Sequence, residues 1–341
     1  MSIGNYEKLA LALLLGADLL GPGANAEAAT INRSLCVSSL SKSLSGQSVA
    51  FWGFGDCGGM GGGGMGGGGM MGSGTSPGPA IELGAGDTLN LSLTVNMMTP
   101  QEAAPYNGHT IHLHGADVPT SEDGVPETNN NAVNGDTYTW TPQTGHEGTY
   151  MYHCHVHTVK HLEMGMYGAI VVRPKDAAGN LLNQITPNPA SAYNYSQIYV
   201  LGTVDPAYHT ATGDSTVFGD YNPQYFLISG KEGKTTSAPA LSLTAATSTK
   251  VALRLVGLHS TNGTFAIKDG AGNLKSFTIY VQDGRALPTP KTVTSVDISP
   301  GQRVDVLTAL PSKRGTWYPQ VTYKRLRDNS PYATVYGKIT F

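Results

Sequence analysis

The chain has 341 residues, a formal net charge of −3 and 13% charged residues. That length suits two ordinary domains, each with its own core, and the charge offers nothing for nucleic acid or an anionic membrane to bind. The 44 glycines and 20 prolines suit short strands separated by turns, with long helices scarce.

Residues 1–28 have the pattern of an export signal: Lys8, an apolar run from Leu9 to Leu20, then the small residues Ala24-Asn25-Ala26-Glu27-Ala28. The run is too short, and too broken by Gly16 and Asp18, to span a bilayer. A periplasmic or secreted protein is expected. In an oxidising compartment Cys36 and Cys57 could form a disulfide, leaving Cys154 as the odd thiol between two histidines.

Residues 58–74 are nearly all glycine, punctuated by Met60, Met65, Met70 and Met71. Such a segment is a loop or tether, and its thioethers are soft donors that suit Cu(I); a linker with incidental methionines explains it equally well. After Pro77-Gly78-Pro79, the alternation of Leu89, Leu91, Leu93 and Val95 predicts a strand with one buried face. Further strands are predicted over 137–141, 148–152 and 168–172, with turns at Asp123-Gly124, Asn134-Gly135 and Gly145. The Pro-, Asn- and Ser-rich stretch 174–194 is the expected linker.

The second half repeats the first. Residues 107–115 lie over 262–270, Gly148-Thr149-Tyr150 over Gly315-Thr316-Trp317, and Met166-Tyr167-Gly168 over Val335-Tyr336-Gly337. Where the first half has His153, Cys154 and His155, the second has Gln320, Val321 and Thr322. The predicted organisation is all-β: two similar domains, each a sandwich or Greek-key barrel, 29–175 furnished for metal and 190–341 without comparable ligands.

Seven histidines and one cysteine crowd into two runs, His109-Thr110-Ile111-His112-Leu113-His114 and His153-Cys154-His155-Val156-His157, continued by His161. Side chains alternate across a strand, so Cys154 faces away from His153 and His155, and His109 faces away from His112 and His114. Two clusters follow. Cys154 and His109, completed by His161 and Met166, form the two-imidazole, thiolate and thioether set of a blue electron-transfer copper. His157 and Met164 compete for the last two places. His112, His114, His153 and His155 form an all-imidazole set that suits copper meeting a small oxidant, with zinc as the chemical rival.

These motifs resemble the multicopper oxidases and the related copper nitrite reductases. The resemblance is carried by His-x-x-His-x-His-Gly at 109–115, Asp123-Gly124-Val125-Pro126, Gly-Thr-Tyr-x-Tyr-His-Cys-His at 148–155 and Met-Gly-Met-Tyr-Gly at 164–168, and extends to Pro300-Gly301-Gln302-Arg303-Val304-Asp305. It implies two cupredoxin-like Greek-key β-sandwich domains, a type 1 copper at His109, Cys154, His161 and Met166, and an oxygen- or nitrite-handling site at His112, His114, His153 and His155. Cys154 would link the two. The chain departs from the oxidases in two respects. Five residues, not three, separate His155 from His161, and only four imidazoles stand where a trinuclear centre uses eight.

The expected function is a secreted copper oxidoreductase that takes single electrons from a small reductant or redox protein and passes them to oxygen. The alternatives are a non-catalytic blue-copper carrier or copper-binding protein, and a nitrite-reductase-like enzyme with a mononuclear acceptor copper. A homo-oligomer, as in the trimeric two-domain relatives, would supply what one chain lacks. Asp117, Glu122, Asp123 and Glu163 are candidates for delivering protons. His146 reads as a turn residue.

Overall fold

A computed structural model describes residues 28–57, 74–95, 108–128, 136–210 and 221–341. The export-signal pattern, apart from Ala28, and nearly all of the Gly/Met-rich segment lie outside them.

The first half contributes β1 (Thr30–Leu44), β2 (Gln47–Asp56), β3 (Ile81–Gly84), β4 (Thr88–Thr94), β5 (His112–His114), β6 (Thr137–Trp140), β7 (Gly148–His153) and β8 (Tyr167–Arg173), with helix α1 (Thr158–Glu163) between the last two. They form two four-stranded sheets, β2-β1-β4-β6 and β3-β8-β7-β5. The predicted alternation in β4 puts Leu89, Leu91 and Leu93 fully inside. Each stabilises the sandwich by roughly 2 kcal/mol relative to exposure. Beside them in the same sheet stand Tyr138 and Trp140 of β6, and across the sandwich Tyr150 and Tyr152 of β7 and Leu113 of β5. A disulfide joins Cys36 to Cys57.

The second half contributes β9 (Tyr195–Val204), α2 (Pro206–Thr210), β10 (Tyr225–Ile228), β11 (Leu241–Thr244), β12 (Lys250–Leu258), β13 (Asn262–Asp269), β14 (Leu274–Lys275), β15 (Phe277–Gln282), β16 (Arg285–Val293), β17 (Ser295–Ile298), β18 (Arg303–Ala309), β19 (Thr316–Lys324) and β20 (Pro331–Thr340). Its sheets run β10-β9-β12-β18-β15-β16 and β11-β20-β19-β13-β14, with β17 on β13. The order β3-β8-β7-β5 thus recurs as β11-β20-β19-β13, each with its first pair parallel. Among the described residues no strand of one half pairs with a strand of the other.

Pairing corrects the internal alignment by one residue. Leu113 pairs with Tyr152, which lies opposite Gly168; Ile267 pairs with Pro319 of β19. Both Leu113 and Ile267 are core residues, so Leu113, not His112, corresponds to Ile267. Because side chains alternate, a one-residue slip would carry His112 into the core.

The two halves pack through the outer face of the β3-β8-β7-β5 sheet and through β2. Met151, Tyr167 and Ala169 meet Val200 and Val256, while Val49 and Phe51 meet Val204 and Leu227. All six residues of β7 are therefore buried. Arg254 of β12, paired in register with Asp305 of β18, sits in the same interface, where Asp305 accepts a 2.5 Å hydrogen bond from Thr149.

Candidate metal centres

β5 and β7 place His112 directly across from His153. Cys154 and His155 lie just beyond the end of β7, yet the alternation persists. Cys154 joins the core with Leu113 and Tyr152, and His155 lines a cavity on the opposite face with His112, His114 and His153.

On the core side, the Cys154 sulfur lies 3.0 Å from His161 Nδ1 and 3.7 Å from His109 Nδ1. Three donor atoms thus converge in a place where all three residues are fully buried. Burial pushes the Cys154 thiol up, but the charge of His161 and hydrogen bonds from His109 and His161 outweigh it and hold the pKa down to about 5. A thiolate is therefore the stable form near neutrality, the state in which sulfur binds metal.

The long spacing to His161 has a local explanation. His157 adopts a left-handed conformation (φ 41°) as the N-cap of α1, turning the chain, and its carbonyl accepts the His161 N–H at 3.1 Å. The first helical turn then carries His161 back to the sulfur. The His157 ring lies beside that of His161, with centroids 6.0 Å apart. Met164 and Met166 are both buried in the Cys154 cluster. The backbone of Met166 ties it to both donors: its N–H donates to the His161 carbonyl and its carbonyl accepts from the Cys154 N–H. Met164 instead accepts from Trp52 N–H. The Trp52 indole packs edge-on against His161 at 5.2 Å, beneath the ammonium of buried Lys160.

On the cavity side, His112, His114 and His153 offer nitrogens that all lie within 4.8 Å of one another. His112 Nδ1 donates to the Asp123 carbonyl at 2.6 Å, and His153 Nδ1 donates to the Cys154 carbonyl at 2.9 Å. Each bond fixes the ring so that Nε2 keeps its lone pair. His153 Nε2 lies 3.2 Å from His114 Nδ1. Burial lowers the pKa of His153 to about 3; burial, with Arg303 and His112 adding to it, lowers that of His114 to about 4. These rings are neutral at pH 7, as metal ligands must be. His155 stands outside the triad, stacked on His153 at 24° with centroids 5.9 Å apart.

The remaining candidates are distributed differently. Glu163 lines the cavity, accepting from Asp205 N–H at 2.6 Å and the Tyr221 hydroxyl at 3.0 Å. Asp123 stands 3.4 Å from His112, Asp117 pairs with Arg285 and His146, and Glu122 accepts from the Thr139 N–H. What the sequence did not reveal is the far wall of the cavity. The second half supplies it with residues 257–260, Pro300 and Gly301, enclosing about 350 Å³. The only hint was the resemblance at 300–305.

Two sequence models of multicopper oxidases match the chain, over residues 65–177 and 204–336. The chain belongs to the multicopper oxidase family. Copper is the cofactor of that family, as type 1 copper and further coppers. Laccase-3 of Botryotinia fuckeliana is 28% identical over 248 residues, 71% of this chain and 50% of that protein. Copper resistance protein A of Escherichia coli is 33% identical over 104 residues, 30% of this chain and 16% of that protein. The chain thus spans half or less of these curated relatives. Among solved structures, the blue copper oxidase from Nitrosomonas europaea superposes with a TM-score of 0.66 at 23% identity, over 91% of this chain and 85% of that one. A multicopper oxidase from Campylobacter jejuni gives 0.60 at 19%, over 91% and 57%. Both likenesses establish the cupredoxin-like sandwich fold.

Proposed function

We propose that this family member is a copper oxidoreductase in which Cys154, His109 and His161, with Met166 as the weak fourth ligand, hold a type 1 copper, and His112, His114 and His153 hold copper at the acceptor cavity. Copper supplies one-electron redox chemistry at the first place and a seat for a small oxidant at the second. The chain's own residues do the rest. Cys154 and His153 are adjacent in sequence, and the His153 ring donates back to the Cys154 carbonyl at 2.9 Å. The thiolate and the cavity are therefore joined by a short covalent route reinforced by one hydrogen bond. This single connection carries the reading.

Core packing around His109 and His161 keeps water from the thiolate, while the cavity stays roomy enough for a diatomic or triatomic oxidant. Oxygen is the acceptor favoured by family membership. Copper loading should produce an intense thiolate-to-copper band near about 600 nm. Cys154→Ser should abolish it, together with oxygen uptake driven by a one-electron donor. A loaded protein with the band but no uptake would favour the second reading, a blue-copper carrier, to which the imidazole-poor far wall lends support. Nitrite, tried in place of oxygen, tests the reductase-like alternative.

Export is supported by the Cys36–Cys57 disulfide, a bond of oxidising compartments. Sequencing the protein recovered from the cell exterior or periplasm should find residue 29 at its start. The domain limits 29–175 and 190–341 follow the division of sheets, and a homotrimer is the proposed assembly, open to sedimentation analysis.

A further inference from the structure

We propose that the cavity holds a single copper ion on His112, His114 and His153, not a trinuclear cluster, so that each chain carries two coppers. This rests on the type 1 reading of Cys154. It departs from the fuller copper complement that family membership alone would suggest.

The chain has ten histidines. His109 and His161 lie at the thiolate, and His112, His114, His153 and His155 line the cavity. None of the other four is placed to join them. His209 is buried, with Nδ1 on the Ala50 carbonyl at 2.5 Å and Nε2 3.5 Å from Glu163. His259 belongs to the cavity-lining segment, but its ring turns into the second domain: Nδ1 lies 3.2 Å from the Thr261 hydroxyl, the ring stands edge-on to Tyr323 at 5.5 Å, and Nε2 is 3.5 Å from where a Cβ on Gly263 would lie. His146 precedes β7 at the end remote from His153, roughly 20 Å away at the usual rise of a strand, and pairs with Asp117. His157 stands on the thiolate side, beside His161.

A second copy of the chain docking its outer surface on the cavity does not repair this. Its His209 and His259 are as deeply buried, and of the four histidines outside the two sites only His146 and His157 are partly exposed, which leaves such a shared cavity short of eight imidazoles. The opposite wall is formed by Gly257, Leu258, His259, Ser260, Pro300 and Gly301, and a Cβ on Gly301 would come within 3.6 Å of the His114 ring. Apart from His259, whose ring is engaged with Thr261 and Tyr323, that wall offers glycine, proline, a leucine and a serine, and no imidazole. The triad itself has the dimensions of one ion's shell. Two nitrogens bound to one ion at about 2 Å lie no more than about 4 Å apart, and the three nitrogens here fall within 4.8 Å before any ion draws them in.

The test is copper content and spin state of the full chain, loaded with copper and freed of loosely bound ion by a chelating column. Two coppers per chain are expected, both visible by electron paramagnetic resonance: one with the narrow splitting of a thiolate site, one with the wide splitting of an imidazole site. His112→Ala and His153→Gln should each lose the second signal and one copper while keeping the blue band. Cys154→Ser should lose the first and keep the second. Four coppers with a resonance-silent pair would overturn the inference, as would one blue copper with an empty cavity; in both cases the type 1 reading would stand. Absence of the blue band from the loaded wild-type protein would instead remove the reading on which the inference rests.

Discussion

Cys154 is a thiol that burial alone would keep protonated, and two imidazoles reverse that. The same economy decides its neighbours. His161 is the preferred imidazole in the sequence and His157 its rival, and it is His161 Nδ1 that stands 3.0 Å from the sulfur. His161→Ala should abolish the blue band, and His157→Ala should leave it, with at most a small shift. Between the two thioethers, Met166→Leu should keep the band and change the reduction potential, because an axial ligand tunes a site it does not create; Met164→Leu should change neither. Potentiometry on the two variants separates them. His259 offers a separate prediction. Burial depresses its pKa to about 4, against the opposing pull of the Thr261 and Ile298 backbones. Between about pH 6.5 and 4 the unfolded chain binds a proton that the folded one refuses, so stability falls as the pH falls through that window. Over it His259 accounts for roughly 3 kcal/mol. Urea melts of copper-free protein should show that His259→Leu is less acid-sensitive by about that amount; an unchanged pH dependence would contradict it.

At the scale of elements, legibility followed exposure. β4 has one buried face, and its alternating leucines were readable as a strand from the sequence. The sorting of the histidines into two sets was readable for the same reason, since parity needs only the strand direction. β7 is buried on both faces and shows no alternation, so the partner of its outer face was invisible. The one-residue slip in the internal alignment comes from matching the glycines at the ends of the two runs; the alternation of Phe265 and Ile267 in β13 marks its inward face, and Ile111 and Leu113 are their counterparts. The wall built by 257–260 and 300–301 depends on how two sandwiches meet, which local pattern does not record. The Arg254–Asp305 pair belongs to that meeting. Its side chains are 1% and 0% exposed, and burial keeps the Asp305 carboxyl above the usual range despite Arg254. Such a pair adds little net stability but is costly to break. Asp305→Ala should destabilise the chain by about 3–5 kcal/mol, and Arg254→Met with Asp305→Leu should recover much of that loss in the same denaturation assay.

For the whole molecule, the division of sheets suggests two domains and the interface argues against their independence. Val49, Phe51, Met151 and Tyr167 of the first half are buried against Val200, Val204, Leu227 and Val256 of the second. Glu163 reaches Asp205 and Tyr221 across the same boundary, and Lys160 donates to the Tyr208 carbonyl. Separating the halves would expose this apolar face and strand the buried Glu163 and Lys160 without their partners, and lost partners for buried charges are among the larger penalties in folding. The full chain should therefore unfold in one calorimetric transition, with the van 't Hoff and calorimetric enthalpies in agreement. A first half ending at residue 189, expressed alone, should be poorly soluble or should melt well below the full chain. The thiolate-site ligands all belong to this half, with His161 on α1 and His109, Cys154 and Met166 flanking β5, β7 and β8, so any folded fraction should still bind copper at Cys154. Two well-separated transitions in the full chain would show that the domains stand alone.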